Sequence, residues 1–258
     1  MIISSKDNPK IKWAKKLLQS SSFRKKQGLF VIEGLRLCCD AAGNSAEIQT
    51  AFYTKRLAER YPKGLSEILE VSDESFEITD QVLEKISDTE NGQGILCVCK
   101  IPELCLNPKR GGRYLVLENL SDPSNVGAAA RTAEALGLDG MLICGGCDPY
   151  RPKVLRASMG ALLRFPLQMF EDVTEAAELL DRNGIPLYCS VVSGADCGIS
   201  DVDFSSGGAV IIGNEGFGAS DAARKLSKTR FTIPMSGRAE SLNAAAAAAI
   251  IIYEMTKG

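Results

Sequence analysis

The sequence predicts an α/β protein of two domains, the second of which is built on a parallel sheet. Its 258 residues are 45% apolar, enough to form a core in one large or two ordinary domains. From Arg113 onward, predicted strands and helices alternate regularly. Before that point, residues 101–112 contain two prolines, an Asn-Pro pair and a Gly-Gly pair, and show no periodicity. We therefore predict a first domain at 1–100, a linker at 101–112 and a second domain at 113–258.

The first domain opens with a basic helix. Asn8-Pro9 predicts a capped helix start, and apolar residues recur at helical spacing from Ile11 to Leu18. Residues 1–30 contain eight Lys and Arg and one acid, so their local charge is +7. A strand at 29–32, a helix from 35 and shorter apolar segments up to 94–99 then predict a small α/β unit.

The second domain is predicted from continuous apolar runs. These runs predict strands at 114–117, 140–143, 186–192 and 209–212. Helices are predicted at 126–136, at 175–180 and, rich in alanine, from about Ser241. Strands that are apolar along their whole length are typical of a parallel sheet covered on both faces.

The composition excludes several kinds of chemistry. The chain has no His, which removes Ser-His-Asp and Cys-His nucleophiles and histidine metal sites. Nine scattered Cys are typical of reduced thiols, and the CxxC spacing of Cys144 and Cys147 lacks the second pair that a zinc site needs. The longest apolar run, 244–252, is about half the length of a transmembrane helix, and the N-terminus lacks a secretory signal. We expect a cytoplasmic protein with no metal and no membrane association.

Two polar segments follow predicted strands of the second domain, at the edge where open parallel sheets bind ligands. In the first, residues 122–131, Ser124 or Asn125 can cap the next helix, and Arg131 can face the strand ends. In the second, residues 211–218, three glycines surround Glu215, so backbone amides can approach a nucleoside. This loop is neither a Walker A sequence nor GxGxxG, and it is also compatible with an ordinary turn.

A third polar segment, residues 233–243, has the same relation to a predicted strand. Pro234 ends the strand, and Ser241 and Asn243 open the last helix. Helix capping explains Ser241, but not why Asn243 is polar at the start of an otherwise Ala-filled helix.

The three segments, in this order and at this spacing, resemble the motifs of the SpoU (TrmH-type) branch of the SPOUT RNA methyltransferases. Asp148-Pro149-Tyr150 and residues 153–161 add to the resemblance, which covers residues 113–258. In the N-terminal part, Ser4 to Lys12, Arg24 and Phe30 to Gly34 resemble the L30e-like substrate-binding domain that many members carry.

The resemblance implies a fold, a cofactor and a partner. The second domain would form a trefoil knot that binds S-adenosyl-L-methionine, the protein would be an obligate homodimer with the interface beside the active site, and the acceptor would be a ribose 2'-hydroxyl of RNA. The residues that match the catalytic positions are Arg131, Asn125, Glu215, Ser241 and Asn243. The residues that match the cofactor site are Gly213, Asn214, Gly216, Ile233, Met235 and Leu242.

Arg131 is the central residue by this resemblance, and its chemistry limits its role. A guanidinium has a pKa above about 12 and resists deprotonation. We therefore expect Arg131 to clamp the phosphate beside the target ribose and to orient the hydroxyl, rather than to act as a general base.

The basic N-terminal segment predicts the RNA contacts. We expect the first domain and the cleft to bind RNA through Lys10, Lys12, Arg24, Lys153 and Arg156. Ribosomal RNA is the first expected substrate and transfer RNA the second. Two alternatives stay open: a knotted RNA-binding protein without catalysis, and a nucleotide-binding oxidoreductase that uses the glycine loop but lacks GxGxxG after its first strand.

Overall fold

The computed structural model describes residues 2–89, 93–104 and 106–257. The chain divides into two compact units. The first consists of Met1–Glu103 and Asp148–Arg164, and the second of Leu104–Cys147 and Phe165–Gly258. Cys105, one of the nine cysteines, lies outside the described residues.

The strands are β1 (Ile2–Ile3), β2 (Leu29–Glu33), β3 (Ile48–Thr54), β4 (Ser72–Ile78), β5 (Ile95–Lys100), β6 (Arg113–Glu118), β7 (Gly140–Cys144), β8 (Leu167–Phe170), β9 (Leu187–Ser190), β10 (Cys197–Gly198), β11 (Gly208–Ile212) and β12 (Thr229–Thr232). The helices are α1 (Pro9–Gln19), α2 (Ser21–Gln27), α3 (Leu35–Gly43), α4 (Lys55–Arg60), α5 (Pro62–Glu70), α6 (Asp80–Ile86), α7 (Pro123–Ala135), α8 (Pro152–Ser158), α9 (Val173–Arg182), α10 (Asp221–Leu226) and α11 (Ala244–Thr256).

The first unit is a five-stranded mixed sheet with the order β1-β4-β3-β5-β2. Strand β5 runs antiparallel to both β2 and β3, whereas β1, β3 and β4 are mutually parallel. Helix α1 begins where the sequence predicts, because the Asn8 side chain accepts a hydrogen bond from the backbone N–H of Lys10 at 2.9 Å. Its buried face packs on the sheet through Ile11, Ala14 and Leu17.

Residues 148–164 pack in the first unit, although the sequence places them in the second domain. Helix α8 lies against β2, and the ring of Tyr150 contacts that of Phe30 with centroids 5.1 Å apart. Asp148 accepts two hydrogen bonds from the guanidinium of Arg24, at 2.6 and 2.8 Å. An ion pair joins Arg164 to Asp40 at 3.0 Å.

The second unit is a seven-stranded sheet with the order β10-β12-β9-β11-β6-β7-β8, and every pair of neighbouring strands is parallel. This confirms the parallel sheet that the apolar runs predicted. Every residue of β7 and β11 is buried, which requires helices on both faces. Helix α7 packs on α11, and α9 packs on α10.

Two helix starts differ from the sequence prediction. Helix α7 starts at Pro123, so its cap is Asp122 rather than Ser124 or Asn125, because proline suits the first helical position and capping falls to the residue before it. Helix α11 starts at Ala244 with Asn243 as its cap, three residues later than the predicted start at about Ser241. The side chains of Ser124, Asn125 and Ser241 therefore do not cap these helices.

Candidate active site

The site forms at the carboxyl ends of four neighbouring strands, β12, β9, β11 and β6, in the middle of the parallel sheet. The carboxylate of Glu215, in the loop after β11, accepts four hydrogen bonds there, all at 3.0 Å. The donors are the backbone N–H and hydroxyl of Ser121, the backbone N–H of Asp122 and the side-chain amide of Asn125. Glu215 therefore joins the loop after β11 to the start of α7.

These hydrogen bonds set the charge of Glu215. Partial burial on its own raises the pKa of the carboxyl group. The side-chain amide of Asn125 and the backbone N–H groups of Ser121 and Asp122 lower it by more, so the pKa falls from 4.5 to about 2. Glu215 is consequently an anion at neutral pH, and its oxygens are already engaged by donors.

Asn125 connects Glu215 to the last helix. Its Oδ1 atom accepts a hydrogen bond from Nδ2 of Asn243 at 2.9 Å. Oδ1 of Asn243 in turn accepts from the backbone N–H groups of Ala245 and Ala246, at 2.9 and 3.3 Å. The sequence treated Asn243 as unexplained by capping, whereas the structure makes it the cap of α11 and also a donor to Asn125.

The glycine loop has a fixed conformation. Oδ1 of Asn214 accepts from the backbone N–H groups of Gly216 and Phe217, at 2.9 and 3.1 Å, and its Nδ2 donates to the carbonyl of Asn119 at 2.8 Å. Gly213 lies so close to the chain at 218–219 that a Cβ atom there would be 2.2 Å from the backbone nitrogen of Ala219. Only glycine fits this close approach.

A cavity of about 510 Å³ opens between these loops. All six residues predicted for the cofactor line it, together with three of the five predicted catalytic residues. The predicted residues that line it are Gly213, Asn214, Gly216, Ile233, Met235, Leu242, Glu215, Ser241 and Asn243. The sequence prediction thus placed nine side chains or backbone positions around one space.

One wall of the cavity was missed by sequence reasoning. The last residue of β9 and the three that follow it, residues 190–193, line it together with Arg224 of α10. The guanidinium of Arg224 donates to the carbonyls of Ala219 and Ser193, at 3.2 and 3.1 Å, and lies within 4 Å of no carboxylate of the described residues. A signal was available, because residues 191–193 follow a buried strand just as the other three segments follow theirs.

Arg131 does not line this cavity. It is exposed on α7, six residues after Asn125. Six residues turn a helix by about 240° and advance it by about 9 Å, so Arg131 projects from another side of α7 than Asn125. In a single chain Arg131 is therefore not part of the cavity lining, and its catalytic role stays a prediction.

Arg24 is not an exposed RNA contact. Only 3% of the residue is exposed, and besides Asp148 it donates to the carbonyls of Leu17 and Leu18, at 2.6 and 3.0 Å. A guanidinium with these partners is part of the core of the first unit, and the expectation that it binds RNA is corrected accordingly.

The other predicted RNA contacts are more accessible. Lys10 pairs with Glu74, Lys12 with Asp7 at 3.0 Å, and Arg156 with Asp88 at 2.7 Å. Lys153 is exposed on α8. Within the described part of the chain, five further exposed lysines of the N-terminal segment lie within 4 Å of no carboxylate: Lys6, Lys15, Lys16, Lys25 and Lys26.

The described residues contain neither a metal-binding cluster nor a membrane-spanning helix. No group of three or more Cys, Asp or Glu side chains among them is placed to hold a metal ion. No helix in residues 2–89, 93–104 and 106–257 combines the length and apolar character needed to cross a membrane.

Comparison with known proteins matches both parts of the chain. Residues 112–253 match the SpoU rRNA Methylase family, and residues 8–97 match the MRM3-like substrate binding domain. An uncharacterised tRNA/rRNA methyltransferase of Synechocystis is 32% identical, over 98% of this chain and 92% of that protein. The 23S rRNA (guanosine(2553)-2'-O)-methyltransferase RlmP of Bacillus subtilis is 29% identical, over 98% of both.

A solved structure shares the whole architecture. The SpoU methyltransferase AviRb from Streptomyces viridochromogenes, in complex with the cofactor AdoMet, superposes with a TM-score of 0.89 at 26% identity, over 97% of each chain. The resemblance inferred from the three motifs is thereby confirmed. With its parallel sheet, its three loops around one cavity and a family match over residues 112–253, this chain belongs to the SpoU rRNA methylase family.

Proposed function

We propose that this protein is an S-adenosyl-L-methionine-dependent methyltransferase that methylates a ribose 2'-hydroxyl of ribosomal RNA. The observation that carries the proposal is the cavity of about 510 Å³ whose lining unites the second and third motifs of the family. The relatives named above support ribosomal RNA as the substrate class, since RlmP is a 23S rRNA 2'-O-methyltransferase. A cytoplasmic location and the trefoil knot belong to the same proposal.

The residues of the cavity fit this cofactor. Its volume lies within the 300–1,000 Å³ that is usual for small-molecule sites. Ile233, Met235 and Leu242 supply apolar surface for an adenine, and the loop at Gly213 supplies backbone polar groups. Arg224 supplies a cation for a carboxylate. When bound, the cofactor supplies a methyl group on a positively charged sulfur.

We propose a positioning role for Glu215, supported by its hydrogen-bond network. A carboxyl group with a pKa of about 2 and four donors is a poor proton acceptor at neutral pH. Glu215 holds Asn125 in place, and Asn125 holds Asn243. We propose that this chain of contacts fixes the walls of the site before the substrate binds, so that the acceptor hydroxyl meets a site that is already organised.

Arg131 is proposed to act in the site of a second copy of the chain. It is exposed, away from its own cavity, on a helix that packs against α11, and α11 itself exposes Ile250 and Tyr253, at 39% and 56%. Apolar exposure of this kind suits a homodimer interface formed by α7 and α11. In that arrangement Arg131 would clamp the phosphate next to the target ribose of the partner's site.

RNA capture is proposed for the first unit. Lys15, Lys25 and Lys26 supply positive charge that no carboxylate of the described residues neutralises. The first unit also contains a cavity of about 530 Å³ that is lined in part by Arg56, Arg60 and Tyr61. The guanidinium of Arg60 lies 5.3 Å from the centre of the Tyr61 ring, a planar surface of the kind that unpaired bases use.

Calorimetric titration with S-adenosyl-L-methionine and S-adenosylhomocysteine tests the cofactor site. Leu242→Arg places a charged side chain in the cavity and should abolish binding. Leu226→Arg is the matched control, because Leu226 is similarly exposed, at 42% against 37%, but does not line the cavity. Equal binding by both variants would place the cofactor elsewhere.

Methyl transfer is then tested on unmodified ribosomal RNA transcribed in vitro. With tritiated cofactor, label should enter the RNA and remain in a dinucleotide that resists alkaline hydrolysis, because a 2'-O-methyl group blocks cleavage of the next phosphodiester. If the protein binds the cofactor and methylates transfer RNA but not ribosomal RNA, the substrate class is transfer RNA. Binding without transfer to either RNA would favour a knotted RNA-binding protein.

A further inference from the structure

The tip of the glycine loop carries an aromatic side chain that has no role in the network described above. Phe217 is 94% exposed, the most exposed of the large apolar side chains in the described residues. It also lines the cavity of about 510 Å³, and so lies at the mouth of the proposed cofactor site. A phenylalanine left in water forgoes about 2 kcal/mol of burial energy, which favours a function for it in a complex.

The backbone holds Phe217 in this position. Its N–H donates to Oδ1 of Asn214 at 3.1 Å, and the N–H of Gly218 donates to the carbonyl of Asn214 at 2.8 Å. Asn214 is itself tied to Asn119, and the adjacent Glu215 accepts four hydrogen bonds. The backbone that presents the ring is therefore fixed without a partner, so that binding need order only the side chain.

The exposed apolar surface continues around the same opening. Val192, Met235 and Leu242 also line the cavity and are 60%, 38% and 37% exposed. Phe217 is the only aromatic residue that lines it within the described part of the chain. The opening therefore offers one flat aromatic face beside aliphatic side chains.

The reaction requires a base to lie at this opening. The acceptor ribose has to reach the methyl group, so the base on that ribose must lie at or near the mouth of the cavity. Bases that are not paired stack on aromatic side chains, and such stacking tolerates any base because each has a π face. Helical RNA keeps its bases stacked on one another, so only an unpaired or extruded nucleotide can use the ring.

We propose that Phe217 is the stacking platform for the base of the nucleotide that is methylated, and that the substrate presents this nucleotide unpaired. The proposal rests on the proposed function, because it presumes a ribose acceptor in this cavity. It adds a residue that positions the substrate, and a structural class of RNA target: a loop, a bulge or a flipped nucleotide.

Three variants separate stacking from other roles. Phe217→Ala removes the ring, Phe217→Leu keeps apolar volume without a π face, and Phe217→Trp keeps the face. Leu226→Ala, a truncation of an exposed apolar residue outside the cavity, is the control. The measurements are kcat and KM for unmodified ribosomal RNA, the affinity for S-adenosylhomocysteine and the sedimentation coefficient.

The expected pattern is specific to stacking on RNA. Phe217→Ala and Phe217→Leu should lower kcat/KM for RNA by about 5- to 100-fold, in keeping with the loss of one base–aromatic stack. Phe217→Trp should remain within about threefold of the original chain, and cofactor affinity and sedimentation should not change. Phe217→Trp combined with Trp13→Phe provides a binding readout, since Trp13 is the chain's only tryptophan and RNA should quench the fluorescence of the introduced indole.

Each other outcome overturns the proposal. Unchanged kcat/KM in Phe217→Ala would show that no base stacks there. An equal loss of cofactor affinity would make the ring a cover for the cofactor, and a change in sedimentation would make it a contact between copies of the chain. Failure of the proposed function would look different, because the original chain itself would then transfer no methyl group to RNA, and the fluorescence of the Phe217→Trp, Trp13→Phe double variant would not respond to RNA.

Discussion

Nδ2 of Asn243 lies 2.9 Å from Oδ1 of Asn125, and this contact joins the first and third motifs of the site across 118 residues of sequence. Both side chains have a second partner: Asn125 donates to Glu215, and Asn243 caps α11. A primary amide has a donor NH₂ group and an acceptor oxygen. Each asparagine therefore accepts a hydrogen bond on one side and donates one on the other, so that the donors point from α11 toward Glu215. The three motifs therefore form one polar unit rather than three separate features.

Asn243→Ala should weaken both the fold and the site. The variant removes the cap of α11 and the donor to Asn125, and a loss of about 1–2 kcal/mol in the free energy of unfolding is expected. Asn8→Ala, which removes the cap of α1, is the control with a comparable loss of stability. Calorimetry should show reduced affinity for S-adenosylhomocysteine in Asn243→Ala alone. Equal affinity in the two variants would limit Asn243 to a capping role.

The charge of Glu215 predicts how stability depends on pH. The pKa of its carboxyl group is about 2 in the folded protein, below the ordinary value of 4.5, so the folded state favours the anion. The resulting stabilisation is complete above pH 4.5 and is lost as the pH falls toward 2. Urea unfolding of the original chain and of Glu215→Gln should therefore differ most at neutral pH and converge between about pH 4.5 and 2. Glu178→Gln, at a carboxylate with no hydrogen bond among the described residues, is the control variant.

The same depressed pKa predicts what the activity profile will not contain. Between about pH 6 and 9 Glu215 does not change its charge, so no inflection of kcat in that range belongs to it. An inflection that persists in Asn125→Ala but disappears in Glu215→Gln would contradict this assignment.

Arg131 and Leu242 allow a test of action between subunits. Arg131→Ala and Leu242→Arg should each be inactive alone. If Arg131 serves the partner's site, a hybrid dimer contains one site with an intact cavity and an intact arginine, and an equimolar mixture should recover about a quarter of full activity. If Arg131 serves its own chain, both sites of the hybrid are defective. Absence of recovery after co-refolding, with hybrid dimers demonstrated by mass spectrometry, would reject the intersubunit role.

Buried and exposed cations of the first thirty residues should behave differently. Arg24→Ala removes the two hydrogen bonds that the buried guanidinium donates to Asp148 and those it donates to the carbonyls of Leu17 and Leu18, and should cost about 3–5 kcal/mol of stability. Lys25→Ala with Lys26→Ala should leave the unfolding transition unchanged, weaken RNA binding and reduce the slope of log affinity against log salt by about 2. Filter binding at several salt concentrations measures the slope. A normal slope would exclude these lysines from the RNA interface.

Two glycines of the site region predict opposite results. Gly213→Ala introduces a Cβ atom 2.2 Å from a backbone nitrogen, so the loop after β11 must shift, at a cost of about 1–3 kcal/mol. Gly237→Ala meets nothing within 4 Å and has no positive φ, and should be neutral. Thermal unfolding and cofactor titration of both variants measure the difference. Tolerance of alanine in place of Gly213 would mean that the loop is less constrained than its contacts indicate.

The sequence predicted the parts of the site that depend on local pattern. The buried strand before Gly213 and the proline-terminated strand before Ser241 placed their loops at one edge of the sheet, where the cavity forms. The direction of Arg131 depends on where α7 begins and how far it has turned by that residue, and the burial of Arg24 depends on a partner 124 residues away. A local sequence pattern does not predict the direction of Arg131 or the burial of Arg24, because each depends on how the chain packs.

Asp148–Arg164 belongs to the first unit although it lies between parts of the second, so the chain leaves and re-enters each unit. A truncation at residue 112, the start of the family match, would retain this segment but strip it of Phe30, Arg24 and Asp40. Val154 and Leu155, both buried, would then be exposed to water and promote aggregation. The segments of the two units thus alternate along the sequence. Moving one unit into another protein as a continuous stretch of sequence would remove part of the other unit.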